Sequence, residues 1–197
     1  MNDLSLDRRA ALMTLGALIG APLAARAVPA PLPGESVYQL PAALVDQDGQ
    51  PIELSRWRGH PVLATMFYTS CEMVCPMLFE TIHYTIKALP ATEREAVRVL
   101  MVSFDPARDT VTVLKKTARE RGCDARWALA RCDDATARKV AAALGLQYRQ
   151  LASGEFNHSS TVELLDRQGR IAAQTAKLGS VDAAFVKAIR QALASAA

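Results

Sequence analysis

The sequence predicts an α/β protein, a central sheet with helices on both faces and a hairpin at its N-terminal end. Three observations carry this. Two almost continuous apolar, β-rich runs, PVLATMFYT (61–69) and AVRVLMVSF (96–104), leave no room for a solvated face and read as buried strands. A helix-like segment follows each of them. The chain then closes on a strand hairpin and one amphipathic helix, so strands and helices alternate through most of its length.

Taken in order, YQLPAALVDQDGQPIELSRWRG (38–59) places Asp48-Gly49 between short apolar runs, the signal of a hairpin. The strand over 61–69 comes next. The helix after it is expected from about Met73 to Leu89, with Pro76 in the first turn, where a missing N–H costs nothing. The second buried strand, 96–104, leads to TVTVLKKTARERG, a helix ending at Gly122. WALARC (127–132) reads as a short strand and DATARKVAAALG (134–145) as a helix. STVELLD and RIAAQTA flank Arg167-Gln168-Gly169 as a hairpin, and VDAAFVKAIRQALASA is the closing helix.

The chain has 197 residues, half of them apolar, enough for one domain with a proper core. Its net charge is +3, with basic and acidic residues interleaved and no basic block, which argues against nucleic acid as a partner. At the N-terminus, Arg8 and Arg9 precede an uncharged run from Ala10 to Ala25, and Ala25-Arg26-Ala27 forms an A-x-A cleavage pattern. The run is short for a membrane span, which needs roughly 20 strongly apolar residues, and Gly16, Gly20 and Pro22 weaken it further. The arginine pair is similar to a twin-arginine export signal. The expected organisation is an export signal over 1–27, a proline-rich tether over 28–36 and one domain over 37–197. An uncleaved N-terminal anchor is the alternative. Either arrangement puts the domain in an oxidising compartment, the periplasm or the outer face of the inner membrane.

The chemistry is expected in YTSCEMVCPMLF (68–79), where a central strand turns into a helix. That placement of a cysteine pair makes the domain thioredoxin-like, in the broader peroxiredoxin-like sense. Cys71 and Cys75 stand at i and i+4, on one face of a helix start. A helix N-terminus lowers thiol pKa and supplies thiolate. Thiolates are soft ligands that select copper(I) and zinc, yet the same pair could form a disulfide, so spacing alone leaves metal and redox roles open. Glu72 between them is expected to raise the Cys71 thiol. Met73 and Met77 bring thioether sulfur beside the pair, although a methionine at a helix start more often packs.

A metal needs a third donor, and there are three histidines. His60 reads as a turn residue before the first core strand. His83 lies about two helical turns beyond Cys75, about 12 Å along the axis, too far to share an ion. His158 sits in GEFNHSS (154–160), a polar stretch that reads as a loop, where functional groups are commonly presented.

YTSCEMVCP, SFDPARDT and NHSSTVELLDRQGRI, in that order and spacing, resemble the Sco/SenC family of copper-handling proteins over nearly the whole chain from about Tyr38. The resemblance implies a thioredoxin-like fold and copper, Cu(I) or Cu(II), held by Cys71, Cys75 and His158. It makes Asp105, Pro106, Arg108 and Asp109 a supporting element beside the site. It further implies a copper chaperone for the binuclear copper centre of a respiratory cytochrome oxidase, with that copper-centre subunit and other copper carriers as partners. The rival expectation is a thiol–disulfide oxidoreductase with Cys71 as nucleophile and Cys75 as resolving thiol. Cys123 and Cys132, nine positions apart, are expected to form a structural disulfide worth roughly 2 to 3 kcal/mol on a chain-entropy estimate. Two buried thiols or a second metal-capture pair are the alternatives there.

Overall fold

A computed structural model describes residues 31–195. The expected export segment, 1–27, and the first residues of the expected tether lie outside them. The last tether residues are docked on the domain. Ser36 is buried, its hydroxyl donates to the Gln168 carbonyl and accepts from the Tyr38 N–H, and the Val37 N–H donates to Gly169 O at 2.9 Å. Gly169 is required there, because it adopts φ +81° and a Cβ on it would lie 2.6 Å from the Tyr38 ring.

Two pieces of the hairpin predicted around Asp48-Gly49 form, β1 (Leu44–Asp46) and β2 (Pro51–Ile52), paired antiparallel. Short 3-10 turns at Val37–Gln39 and Leu54–Trp57 bracket them, which the sequence pattern did not indicate. The apolar runs become β3 (Val62–Phe67) and β4 (Arg98–Ser103), and WALAR becomes β5 (Trp127–Arg131). These three are parallel, with Val62 opposite Arg98 and Val99 opposite Trp127. The C-terminal hairpin is β8 (Val162–Leu165) and β9 (Ile171–Thr175), and β8 pairs antiparallel with β3. The resulting seven-stranded order is β2-β1-β5-β4-β3-β8-β9, with β4 at the centre and β3 beside it, every residue of β3 buried.

The helices are α1 (Val74–Ala88), α2 (Ala91–Arg94), α3 (Val111–Glu120), α4 (Asp134–Ala143) and α5 (Ala183–Ala194). α1 and α3 link successive parallel strands, and right-handed crossovers put both on one face. Their contacts agree. Phe79 of α1 lies edge-on to Phe67 and stacks on Trp127, while His83 of α1 contacts Arg121 O, just past α3, at 2.8 Å.

Two expectations require correction. The stretch around His158 is not a loop: β6 (Tyr148–Gln150) and β7 (Phe156–His158) form a separate antiparallel ribbon, with Tyr148 opposite His158. The expected Cys123–Cys132 bridge is absent, for both are free thiols. Cys123 precedes β5 and Cys132 follows it. Five extended residues span about 16 Å, whereas bridged Cα atoms lie within about 7 Å. Burial, reinforced by Asp124 for one and Asp133 for the other, pushes both thiols up to about 12, so neither is a ready nucleophile.

Candidate metal centre

The chain leaves the middle of the sheet at Phe67 and turns through Tyr68, Thr69 and Ser70 into α1. Asp109 fixes that turn. It is fully buried and accepts from the Thr69 N–H at 3.2 Å and from the hydroxyls of Thr69 and Ser103. Burial outweighs those bonds and raises its carboxyl above the usual range.

Cys71 is half-buried at the mouth of the helix and Cys75 is buried in its first turn. The Cys75 N–H donates to Cys71 Sγ at 3.4 Å. Burial alone would raise the Cys71 thiol. The backbone N–H groups of Cys75, Met73 and Val74, together with the Cys75 side chain, outweigh it and lower the pKa. The expected upward push from Glu72 is therefore overruled by the helix N-terminus. Cys75 goes the other way: burial, with Cys71 and Asp109 adding to it, drives its thiol well above the ordinary value. The helix start thus moves the two thiols in opposite directions, Cys71 down and Cys75 up.

His158 ends β7 and faces the pair. Its Nδ1 lies 2.7 Å from Ser159 O. A carbonyl only accepts, so Nδ1 carries the proton and Nε2 presents the lone pair. The ligand atoms of Cys71, Cys75 and His158 all lie within 4.8 Å of one another. Donors bound to one first-row ion at about 2.0–2.3 Å stand about 3.5–4.5 Å apart, so closure asks for shifts of a few tenths of an ångström. Cys71 and His158 line a cavity of about 490 Å³, and Cys75 lies buried behind them.

The ribbon carrying His158 is clamped from both sides. Arg108 pairs with Asp105 and donates to Gly154 O at 2.7 Å. Tyr68 donates to Glu155 Oε2 at 2.6 Å, and its ring lies edge-on to His158 with centroids 5.9 Å apart. Phe104 packs between them, 5.2 Å from His158 and 4.8 Å from Tyr148. The segment 105–109 thus holds the cysteine turn through Asp109 and the histidine ribbon through Arg108. Tyr68, Phe104, Tyr148, Glu155 and Phe156 were not singled out from sequence. Their signal was faint: alternation in FNH puts Phe156 and His158 on the inner side, and Tyr68 continues the β3 run beyond its last ladder bond.

The other histidines stay outside. His60 Nδ1 contacts Ala96 O at 3.2 Å in the turn before β3, and His83 lies 4.6 Å from the Trp127 ring. Among the described residues, no helix is long and apolar enough to cross a membrane.

Known proteins are similar to this chain in sequence and in fold. The SCO1 protein homolog of Bacillus subtilis is 34% identical over 79 residues, which span 40% of this chain and 40% of that relative's length. Arabidopsis thaliana ScoI, solved with copper bound, superposes with a TM-score of 0.67 at 21% identity, over 77% of this chain and 98% of that one. A SCO1/SenC family lipoprotein from Bacillus anthracis gives 0.65 at 21%, over 77% and 90%. These solved structures show the thioredoxin-like fold. The SCO1/SenC family model matches residues 33–194, nearly the entire domain with its cysteine pair and its histidine ribbon, and the chain belongs to that family.

Proposed function

We propose that this protein is a copper metallochaperone, taking copper as cargo on Cys71, Cys75 and His158 and passing it to the copper-centre subunit of a respiratory oxidase or to another copper carrier. The observation that carries this is the convergence of two sulfurs and one imidazole nitrogen within 4.8 Å from two separate parts of the chain. Thiolate sulfur favours Cu(I), and the imidazole helps retain Cu(II). The cysteine asymmetry gives an order of events: the Cys71 thiolate meets the ion first, and Cys75 yields its proton as the second bond forms. Binding is then proton-releasing and strengthens as pH rises. The site of action in this reading is the periplasm or the outer face of the inner membrane, reached through the twin-arginine-like segment ahead of the domain.

The same asymmetry favours a second reading, a thiol–disulfide oxidoreductase in which Cys71 attacks and Cys75 resolves. His158 separates the two, because dithiol exchange needs no imidazole. Copper competition on the reduced protein, for Cu(I) and Cu(II), decides it beside His158→Ala. Tight equimolar binding whose Cu(II) charge-transfer band disappears in the variant supports the chaperone. Weak binding indifferent to His158, with rapid exchange against a disulfide substrate, selects the oxidoreductase.

A further inference from the structure

Met73 and Met77 both sit at the start of α1, yet they differ in a way that packing does not require. The buried positions of α1 run from Cys75 through Leu78, Phe79, Ile82 and Ile86. Met73 lies off that stripe and is 76% exposed, the highest value among the exposed large hydrophobic residues of the described chain. It lines the same cavity as Cys71 and His158. Met77 is 39% exposed and does not line that cavity; its terminal methyl rests over Gly179, 3.5 Å from where a Cβ would stand. An apolar side chain left in water beside two thiols contributes little to the fold, but its thioether is a soft donor.

We propose that Met73 is an additional, labile thioether ligand that receives Cu(I) at the mouth of the site as the ion enters or leaves, an inference that rests on copper being the cargo. Met73 lines the cavity together with Cys71 and with Phe156, Asn157 and His158 of β7. In the transfer step both thiolates keep the ion. The bond from Cu(I) to His158 Nε2 breaks as the bond to Met73 Sδ forms. Copper stays Cu(I), no electron moves, and the imidazole proton remains on Nδ1. The ion then stands in an all-sulfur set on the outer side of the cavity, where an acceptor's own sulfur or imidazole can displace the weak thioether first. Met77, seated on Gly179, takes no part.

The test uses the reduced, Cu(I)-loaded protein, with Met73→Leu and Met77→Leu, which keep the apolar volume and remove the sulfur. Stopped-flow transfer to a chromophoric Cu(I) chelator is expected to slow by about tenfold in Met73→Leu through loss of one soft donor. Met77→Leu should match the unaltered protein. In parallel, with methyl-labelled methionine, equimolar Cu(I) should move the Met73 methyl resonance and leave that of Met77 in place. A Met73 methyl that does not move, with equal rates in all three proteins, overturns the proposal while leaving the copper reading intact. Equal slowing in both variants also overturns it, since that marks a surface effect without a ligand. Failure of the unaltered protein to take up Cu(I) at all removes both readings together.

Discussion

Tyr68 shows how much of the site depends on a residue that carries no ligand atom. Its hydroxyl donates to Glu155 and its ring lies against His158, so one side chain joins the cysteine turn to the histidine ribbon. Burial, and then the bond to Glu155, pushes its phenol above the usual value, so it stays a donor throughout the physiological range. Tyr68→Phe keeps the ring and deletes the latch. A hydrogen bond to a charged acceptor contributes about 1.5 kcal/mol, which corresponds to about a tenfold weakening of His158 as a ligand. Because imidazole matters most for Cu(II), Cu(II) affinity should fall by that factor while Cu(I) affinity, set by the two thiolates, changes about twofold or less. Equal losses for the two ions, measured by competition, would mean that the latch positions the cysteines instead.

At the scale of elements, β8 carries a carboxyl where a central strand ordinarily carries carbon. β8 lies between β3 and β9, and Glu163 is 3% exposed, opposite Ala64, with one hydrogen bond from Thr161. Burial outweighs that bond and raises its pKa. A folded-state pKa above the unfolded one means that the folded protein binds the proton more tightly. Stability is therefore full below the ordinary glutamate pKa and declines as pH rises through the raised value. Glu163→Gln, an isostere that can still accept from Thr161, should be more stable than the unaltered protein at pH 7 and equal to it near pH 4, by urea midpoints at the two pH values. A constant gap at both would place the cause outside titration. The sequence made β8 itself visible, as it did the buried runs of β3 and β4 and the helices after them, because continuous apolar stretches and 3.6-residue periods survive without tertiary context. What STVELLD could not convey is that β8 is inserted between two strands, which turns the polar side of an apparent hairpin inward. The ribbon of β6 and β7 escaped for another reason: three residues a side, stabilised by Arg108, Tyr68 and Phe104 from distant segments, leave almost no local pattern. Cys123 and Cys132 misled because even counts and proximity in sequence say nothing of an extended strand between them. Cys71 and Cys75 could be placed from sequence at a strand-to-helix junction, and His158 was set beside them through family resemblance.

On the scale of the whole molecule, the ion would cross-link two parts of the chain that the main sheet does not join. Cys71 and Cys75 stand on the β3–α1 junction, at the end of the wholly buried strand β3, whereas His158 belongs to a two-stranded ribbon outside the seven-stranded sheet. That ribbon has an exposed tip, Leu151 to Ser153, and short pairing, the features of a segment that opens at low free energy while the core stays closed. An ion bound to the closed form stabilises by mass action, about 2.7 kcal/mol at a free concentration 100 times Kd. The protection should not be uniform. Amides of β6 and β7 should exchange more slowly in the Cu(I)-loaded reduced protein by the part of the affinity that His158 supplies, while β3 and β4 amides that exchange only on global unfolding, which releases the ion altogether, gain the full linkage factor of roughly a hundredfold. Oxidising Cys71 and Cys75 to a disulfide would close the first turn of α1 without reaching the ribbon, so ribbon exchange should stay at its unloaded rate. His158→Ala separates the contributions within the loaded state: protection near Cys75 persists, and protection of the ribbon is lost. Hydrogen exchange read by mass spectrometry over 148–158 checks this. Unchanged ribbon exchange on Cu(I) loading of the unaltered protein would show the ion held by the cysteines alone, with His158 left outside the bound state.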